Sequence, residues 1–406
     1  MTHKISAFKI YITYSAFTAF LFSLVFTVNM VYYVDVIHLN PFQLVLIGTV
    51  LEATCFICEI PTGIVADIYS RKLSVIIGVA LIGCGFVLEG AITSFISVLV
   101  SQFLWGLGYT FISGAIDAWI VTEDKTRNID EIYLKGTSWG NIGSIIGIGF
   151  STIIGNYSLR LPILLGGICF VLFALFLIVF MPEYHFNYSS NTESNNFRKM
   201  KTMLITSLET IKKKHIVMML LSVSLLNGLA SEGYDRLYTI HFLKDTTFPK
   251  LGNLQPVTWF GLFSMIAAIL SITIIQFILK GLEKKKHIEN DMFLLIINIG
   301  SIICITTFAL SSNFTLMAIA YLVSNLLRSL NEPIYHAWIN KHIDDNGRAT
   351  ILSTKGILNS FGQIIGGPGI GFIATVISIK IGILGSAILL IPTIFIFILI
   401  RDRKSA

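Results

Sequence analysis

The sequence predicts an all-α integral membrane protein with twelve transmembrane helices in two six-helix halves. Three observations carry that expectation. The chain of 406 residues is 54% hydrophobic and only 13% charged, with a mean hydropathy of +0.78. That is more apolar surface than a soluble fold of this length hides. Its apolar runs reach the ~20 residues that a helix needs to cross a bilayer. Its cations also gather on alternate loops, as the positive-inside rule requires.

The runs lie at 7–33, 41–66, 73–92, 95–121, 129–156 and 160–181, then at 215–243, 254–280, 291–310, 313–339, 347–377 and 378–400. The first is too long for the apolar core of a signal peptide and has no small-residue cleavage site, so it reads as span 1. Spans 2 and 3 are separated only by a short Asp/Arg/Lys hairpin, and spans 11 and 12 nearly fuse around Ser378-Ile-Lys380. The one long polar interruption, 182–214, reads as a cytoplasmic linker between an N-terminal bundle at 1–181 and a C-terminal bundle at 215–406. The halves echo one another. Ala118-Trp119-Ile120 recurs as Ala337-Trp338-Ile339, Lys135-Gly136 as Lys355-Gly356, and Gly147-x-Gly149 as Gly367-x-Gly369. Parallel repeats of this kind place a cargo path between the halves, near the bilayer midplane.

With the N-terminus assigned to the cytoplasm, almost all Lys and Arg fall on the cytoplasmic side, among them Lys4, Arg71, Lys72, Lys125, Lys212, Lys285 and Arg401. The opposite side holds Arg160, Lys244, Lys250 and Lys380. The net charge of +6 is therefore a topology signal rather than a nucleic-acid footprint, and both termini are expected in the cytoplasm.

Ionisable residues inside apolar spans are costly and mark functional positions. Glu52 and Glu59 of span 2 are two helical turns apart, on one face and ~10 Å from each other along the axis, and Glu89 lies near the outer end of span 3. These three are expected to face a wet cavity and carry protons or balance cargo charge; hydrogen bonding to a neighbouring span is the plainer alternative. In span 7, Glu232 and Arg236 are spaced to pair, with Asp235 beside them, Gly233 able to unwind the helix, and Tyr234 and Tyr238 available to a ring. Span 10 carries Arg328, Glu332 and His336 on one face, with Pro333 expected to kink the helix. They fit a proton relay or gate, or an internally neutral network. Lys355 and its repeat-mate Lys135 are expected to snorkel to the surface.

The hairpin after span 2 reads Glu59-Ile-Pro61-Thr-Gly63-Ile-Val-Ala-Asp67-Ile-Tyr-Ser-Arg71-Lys72. It resembles the loop between spans 2 and 3 of major facilitator transporters, with Gly63, Asp67, Arg71 and Lys72 in the motif positions. The resemblance covers the whole chain. It implies that the hairpin gates alternating access, with Pro61 contributing and a span-4 acid, Asp117 or Asp124, latching Arg71. Within that superfamily the Glu-x-Pro version and the carboxylates at 52, 59 and 89 look like the clostridial type of tetracycline efflux protein. That implies export of a divalent-metal–tetracycline chelate in exchange for protons. The chain departs from drug–proton antiporters in two places. Gln102 stands where an Arg usually precedes the Gly106-Leu-Gly108 motif, and span 5 has Gly143, Gly147 and Gly149 without the customary proline. Both departures move the coupling onto the acids of spans 2 and 3.

Cys55-x-x-Cys58 lacks a second Cys/His pair and reads as two small helix residues. No phosphate-cradling Gly-Lys motif follows a strand, so ATP hydrolysis is not expected, nor any enzyme activity. The expected protein is a proton-coupled exporter in a bacterial cytoplasmic membrane, a monomer without a cofactor, the divalent metal entering only as part of the chelate. Its partners are an amphipathic drug, protons and membrane lipid, not nucleic acid. The cavity is expected to be aromatic and weakly polar, since a sugar-like cargo wants many Asn, Gln and Asp side chains. Export of another drug such as a macrolide, metabolite symport, and a non-transporting receptor are the alternatives.

Overall fold

The computed structural model describes residues 6–186, 215–250, 252–284, 290–342 and 348–405. Among them are thirteen helices and no strands. These are α1 (Ala7–Asp35), α2 (Pro41–Ile68), α3 (Arg71–Ala91), α4 (Phe95–Ile112), α5 (Ala115–Glu123), α6 (Ile129–Gly155) and α7 (Arg160–Phe180), followed by α8 (His215–Asp245), α9 (Val257–Lys284), α10 (Asn290–Leu310), α11 (Phe314–His342), α12 (Arg348–Val376) and α13 (Ile379–Ser405). Most of the linker, 187–214, lies outside the described residues. Ten spans are long and apolar enough to cross a membrane by length and composition, α4 and α5 counting as one. The other two long helices, α6 and α11, carry polar residues that lower their hydropathy.

Twelve spans make thirteen helices because span 4 is broken. Ser113 leaves the helical region and Gly114 follows at φ +73°, a left-handed conformation that glycine adopts without a Cβ clash. The helix restarts at Ala115. By contrast, α8 runs unbroken through Gly233, and α2 and α11 run through Pro61 and Pro333. Gly233 serves close packing instead of unwinding: a Cβ there would lie 2.7 Å from Ile370 Cδ1 and 2.9 Å from Ser386 Oγ.

Several helix ends carry the partners that their orphan backbone groups need. Ser6, Ser70 and Ser94 accept from the backbone N–H three residues on, and Asn128 from that of Asp130. The Arg160 guanidinium donates to the carbonyls of Gly90 and Ala91 at the C-terminus of α3, where a cation also suits the helix dipole.

Two compact units result. The first comprises Met1–Leu39, Val50–Ser190 and Lys250–Met265; the second comprises Asn40–Thr49, Asn191–Pro249 and Ile266–Ala406. Relative to a division at the linker, the first turns of α2 belong to the second unit and those of α9 to the first. In the second unit, Phe42 N–H donates to Thr375 Oγ1 at 2.8 Å, and the bare Cα positions of Gly367 and Gly371 admit Thr49 and Val45. In the first, Asn156 receives the backbone N–H of Gln255 at 2.7 Å and donates to Thr258 Oγ1 at 2.9 Å.

Each unit joins two helices through close backbone approach, the usual device where no hydrophobic drive separates helix from lipid. In the first, Gly143 and Gly147 of α6 seat against the α1 backbone at Ala16 and Phe20, and Ser151 Oγ donates to the Leu24 carbonyl at 2.6 Å. In the second, Gly362 and Gly366 of α12 seat against α8 at Gly228 and Leu229. The repeated Ala-Trp-Ile tripeptide places a buried tryptophan in each unit, Trp119 and Trp338. Phe22, Phe26, Phe86, Trp105 and Phe170 form an aromatic cluster among α1, α3, α4 and α7.

Candidate functional site

Four groups of polar side chains stand out, three in the first unit. Around the 67–72 hairpin, Arg71 Nη1 donates to the Ala118 carbonyl at 2.8 Å and to Thr122 Oγ1. Thus Arg71 binds α5 through neutral oxygens, not through Asp117 or Asp124. Asp124 is occupied by Arg127 at 2.5 Å and by two hydrogen bonds from Thr126. Burial alone would raise its pKa, but those bonds and the Arg127 charge outweigh it and hold the carboxyl below its ordinary range. Asp117 and Asp67 are exposed, as is Pro61, and Gly63 has open space where a Cβ would be.

The segment after α7 straps this end of the unit together. Glu183 accepts from Ser70 Oγ at 2.6 Å and from Lys72 N–H at 2.9 Å, capping α3 with a carboxylate where the helix dipole favours one. Lys72 Nζ donates to the Ile178 carbonyl. In return, Glu123 at the end of α5 accepts from the backbone N–H groups of Tyr184 and His185 at 2.9 and 2.7 Å, and Trp119 Nε1 donates to the Pro182 carbonyl at 2.6 Å. Glu123 and Glu183 were not singled out in the sequence. The acid at position 183, directly after the proline that follows span 6, was the readable sign.

Glu89 is sealed in the interior at 0% exposure. Tyr33 Oη donates to its Oε1 at 2.8 Å and Ser101 Oγ to its Oε2 at 2.8 Å, while Tyr32 Oη donates to its backbone carbonyl at 3.0 Å. Gln102, in the position where antiporters carry arginine, donates Nε2 to Tyr33 Oη at 3.2 Å. The carboxyl is therefore joined to α1 and α4 by hydroxyl donors. The third group, on α2, is different: Glu52 is half-buried and Glu59 exposed.

The fourth group lines a cavity of about 480 Å³ in the second unit. Its walls come from α8, α10, α11, α12 and α13 and include Asn227, Asn298, Asn325, Asn331, Asn359, Gln363, Ser231, Ser301 and Ser329, with Asp235, Arg328 and Glu332 as the charged members. The expected aromatic, weakly polar lining is not found in this cavity; amides and hydroxyls dominate. Arg328 forms a two-pronged bridge to Asp235, with Nη2–Oδ2 at 2.6 Å, and its guanidinium sits 5.6 Å from the centre of the Tyr234 ring. Glu232 and Arg236 pair at 2.8 Å, as their spacing allows, with Glu232 buried. Glu332 pairs with Lys355 at 2.7 Å, so Lys355 turns inward and does not snorkel. Arg328 and Glu332 therefore pair with other helices and not with each other; the side chain of His336 lies outside the described residues. Tyr234 is buried against Phe308, and Tyr238 stacks on Tyr321 at 4.7 Å between centroids.

The sequence profile described as Major Facilitator Superfamily matches residues 10–290, more than half of the chain. The chain belongs to the major facilitator superfamily. It is 23% identical over 367 residues to the uncharacterized MFS-type transporter YxaM of Bacillus subtilis (strain 168), covering 89% of this chain and 88% of that protein. Among solved structures, the nucleoside transporter NupG superposes with a TM-score of 0.77 at 16% identity, over 96% of this chain and 98% of that one. A POT family transporter in complex with 5-aminolevulinic acid gives 0.76 at 14% identity, over 97% and 95%. The chain is accordingly a multi-pass membrane transporter of the major facilitator type and not an enzyme.

Proposed function

We propose that this transporter carries a small, strongly hydrogen-bonding solute, held in the amide-lined cavity of the second unit and coupled to protons by the carboxylates of α2. The polarity of that cavity is the observation that carries the reading. A pocket of amide and hydroxyl groups leaves buried polar atoms unpaired when it holds an apolar molecule, and such groups discriminate strongly in favour of a cargo that completes their hydrogen bonds. The structural relatives, a nucleoside transporter and a transporter bound to 5-aminolevulinic acid, are named for polar cargo. Proton coupling is supported by Glu59 and Glu52, which are not sealed in helix contacts. The alternation of cations supports a cytoplasmic membrane with both termini in the cytoplasm.

A second reading is drug export, with tetracycline as its metal chelate. It is favoured by the Glu59-x-Pro61 hairpin, and tetracycline has a polar edge of hydroxyl, carbonyl and amide groups suited to this cavity. Transport into everted vesicles under an imposed pH gradient separates the two. Uridine, a dipeptide and tetracycline with Mg²⁺ are compared in native protein and in Glu59→Gln. Gradient-driven movement of one of them, lost in Glu59→Gln, is expected. Movement that ignores the gradient, or coupling unchanged in the variant, overturns the proton-coupled reading, and tetracycline as the sole moving solute establishes the second.

A further inference from the structure

We infer that the cavity of the second unit selects a zwitterion, whose anionic group takes over Arg328 while its cationic group takes over Asp235. This rests on the cavity being the cargo site and deepens that reading. The Asp235–Arg328 bridge lies on the cavity wall with side chains 43% and 33% exposed, and its members come from different helices, α8 and α11. Parting them therefore breaks no helix. The other acid on the wall, Glu332, already has a cation of its own, Lys355 at 2.7 Å. The remaining wall is uncharged.

Charge balance then decides the class. A cargo with one net charge displaces one member of the bridge and strands the other among amides, and an ion deprived of its partner in a partly desolvated site is strongly penalised. A neutral cargo leaves the bridge shut and draws nothing from it. A zwitterion exchanges one two-pronged pair for two pairs and strands nothing. Arg328 is suited to the exchange. Its planar fork matches a carboxylate or other planar anion, and the Tyr234 ring beneath it holds the guanidinium in place when Asp235 lets go. α-Amino acids, peptides and metal-free tetracycline, which bears a dimethylammonium and an ionised enol near neutral pH, all belong to this class.

The test uses purified full-length protein and reads ligand affinity from thermal stabilisation, which follows the ratio of ligand concentration to Kd. The probes are alanylalanine, its N-acetyl and C-amide derivatives, metal-free tetracycline and uridine. One of the two zwitterions should stabilise the protein. For alanylalanine, each cap should weaken binding at least tenfold. In Asp235→Asn the N-acetyl cap should lose its effect, and in Arg328→Gln the C-amide cap should lose its effect. If tetracycline is the zwitterion that binds, both substitutions should weaken it at least tenfold. Stabilisation by uridine alone, lost in Asn359→Leu but unaffected by Asp235→Asn, overturns the zwitterion and leaves the polar cavity standing. Binding that ignores Asn359→Leu and both charge substitutions, or no stabilisation by any probe, overturns both.

Discussion

Replacing Tyr33 with phenylalanine removes one oxygen that serves two neighbours. The hydroxyl donates to Glu89 Oε1 at 2.8 Å and accepts from Gln102 Nε2 at 3.2 Å, in a region where Glu89 and Gln102 have 0% and 1% exposure. A buried polar group left unsatisfied costs ~1–3 kcal/mol, so two such groups bring the expected loss to about 2–6 kcal/mol. Ser101→Ala strands only Glu89 Oε2 and should cost about 1–3 kcal/mol. The measurement is unfolding in mixed micelles with rising SDS, followed by loss of helical circular dichroism. A cycle with Glu89→Met, close to glutamate in volume, should return a Tyr33–Glu89 coupling of ~0.5 kcal/mol or more. If Tyr33→Phe costs no more than Ser101→Ala, or is additive with Glu89→Met, the hydroxyls do not hold the carboxyl and the account of the nest fails.

Three further outcomes are expected. Glu183→Ala removes one of the two side chains that cap α3, leaving Ser70, and should lower stability by about 1–2 kcal/mol in the same assay, whereas Asp67→Ala, exposed in the same hairpin, should stay within about 0.5 kcal/mol. Gly366→Val puts its Cβ within 2.7 Å of Leu229 Cα and should cost several kcal/mol or abolish folding; Gly369→Ala meets nothing within 4 Å and should fold normally, as judged by yield and size-exclusion profile. The lowered pKa of Asp124 gives a stabilising contribution that is fully present above pH ~4 and lost as pH falls through its folded value. Asp124→Asn should flatten that part of the acid limb in a pH series of unfolding midpoints, and an unchanged limb refutes it.

The spans were legible because lipid leaves the backbone no option but continuous helix, and an apolar run of sufficient length says so directly. The break in span 4 was written as Ser113-Gly114 but hidden by the apolar residues on both sides. The spacing of Glu232 and Arg236 foretold a pair within one helix. The bridges from Asp235 to Arg328 and from Glu332 to Lys355 join residues 93 and 23 positions apart, which no local spacing reveals. A lysine at a span end usually snorkels, which is what the position of Lys355 in the sequence implies; an acid within reach on α11 draws it inward. The amides are hard to see in the sequence for a different reason. Asn227, Asn298, Asn325 and Asn359 come from four different helices, carry no charge, and barely disturb a hydropathy average, so only folding gathers them. Arg127, three residues after Asp124, was the readable sign that this acid already had a partner.

Two carboxylates moor the segment just past α7: Glu183, within it, accepts from Ser70 and Lys72 at the start of α3, and Glu123 of α5 accepts from its Tyr184 and His185 N–H groups. A tug on the polypeptide beyond Phe186 is therefore passed by these two side chains to α3 and α5 before it reaches α7. A protease site or fluorescent insert placed after Phe186 leaves the moorings whole, while the same insert between Met181 and Glu183 cuts them loose.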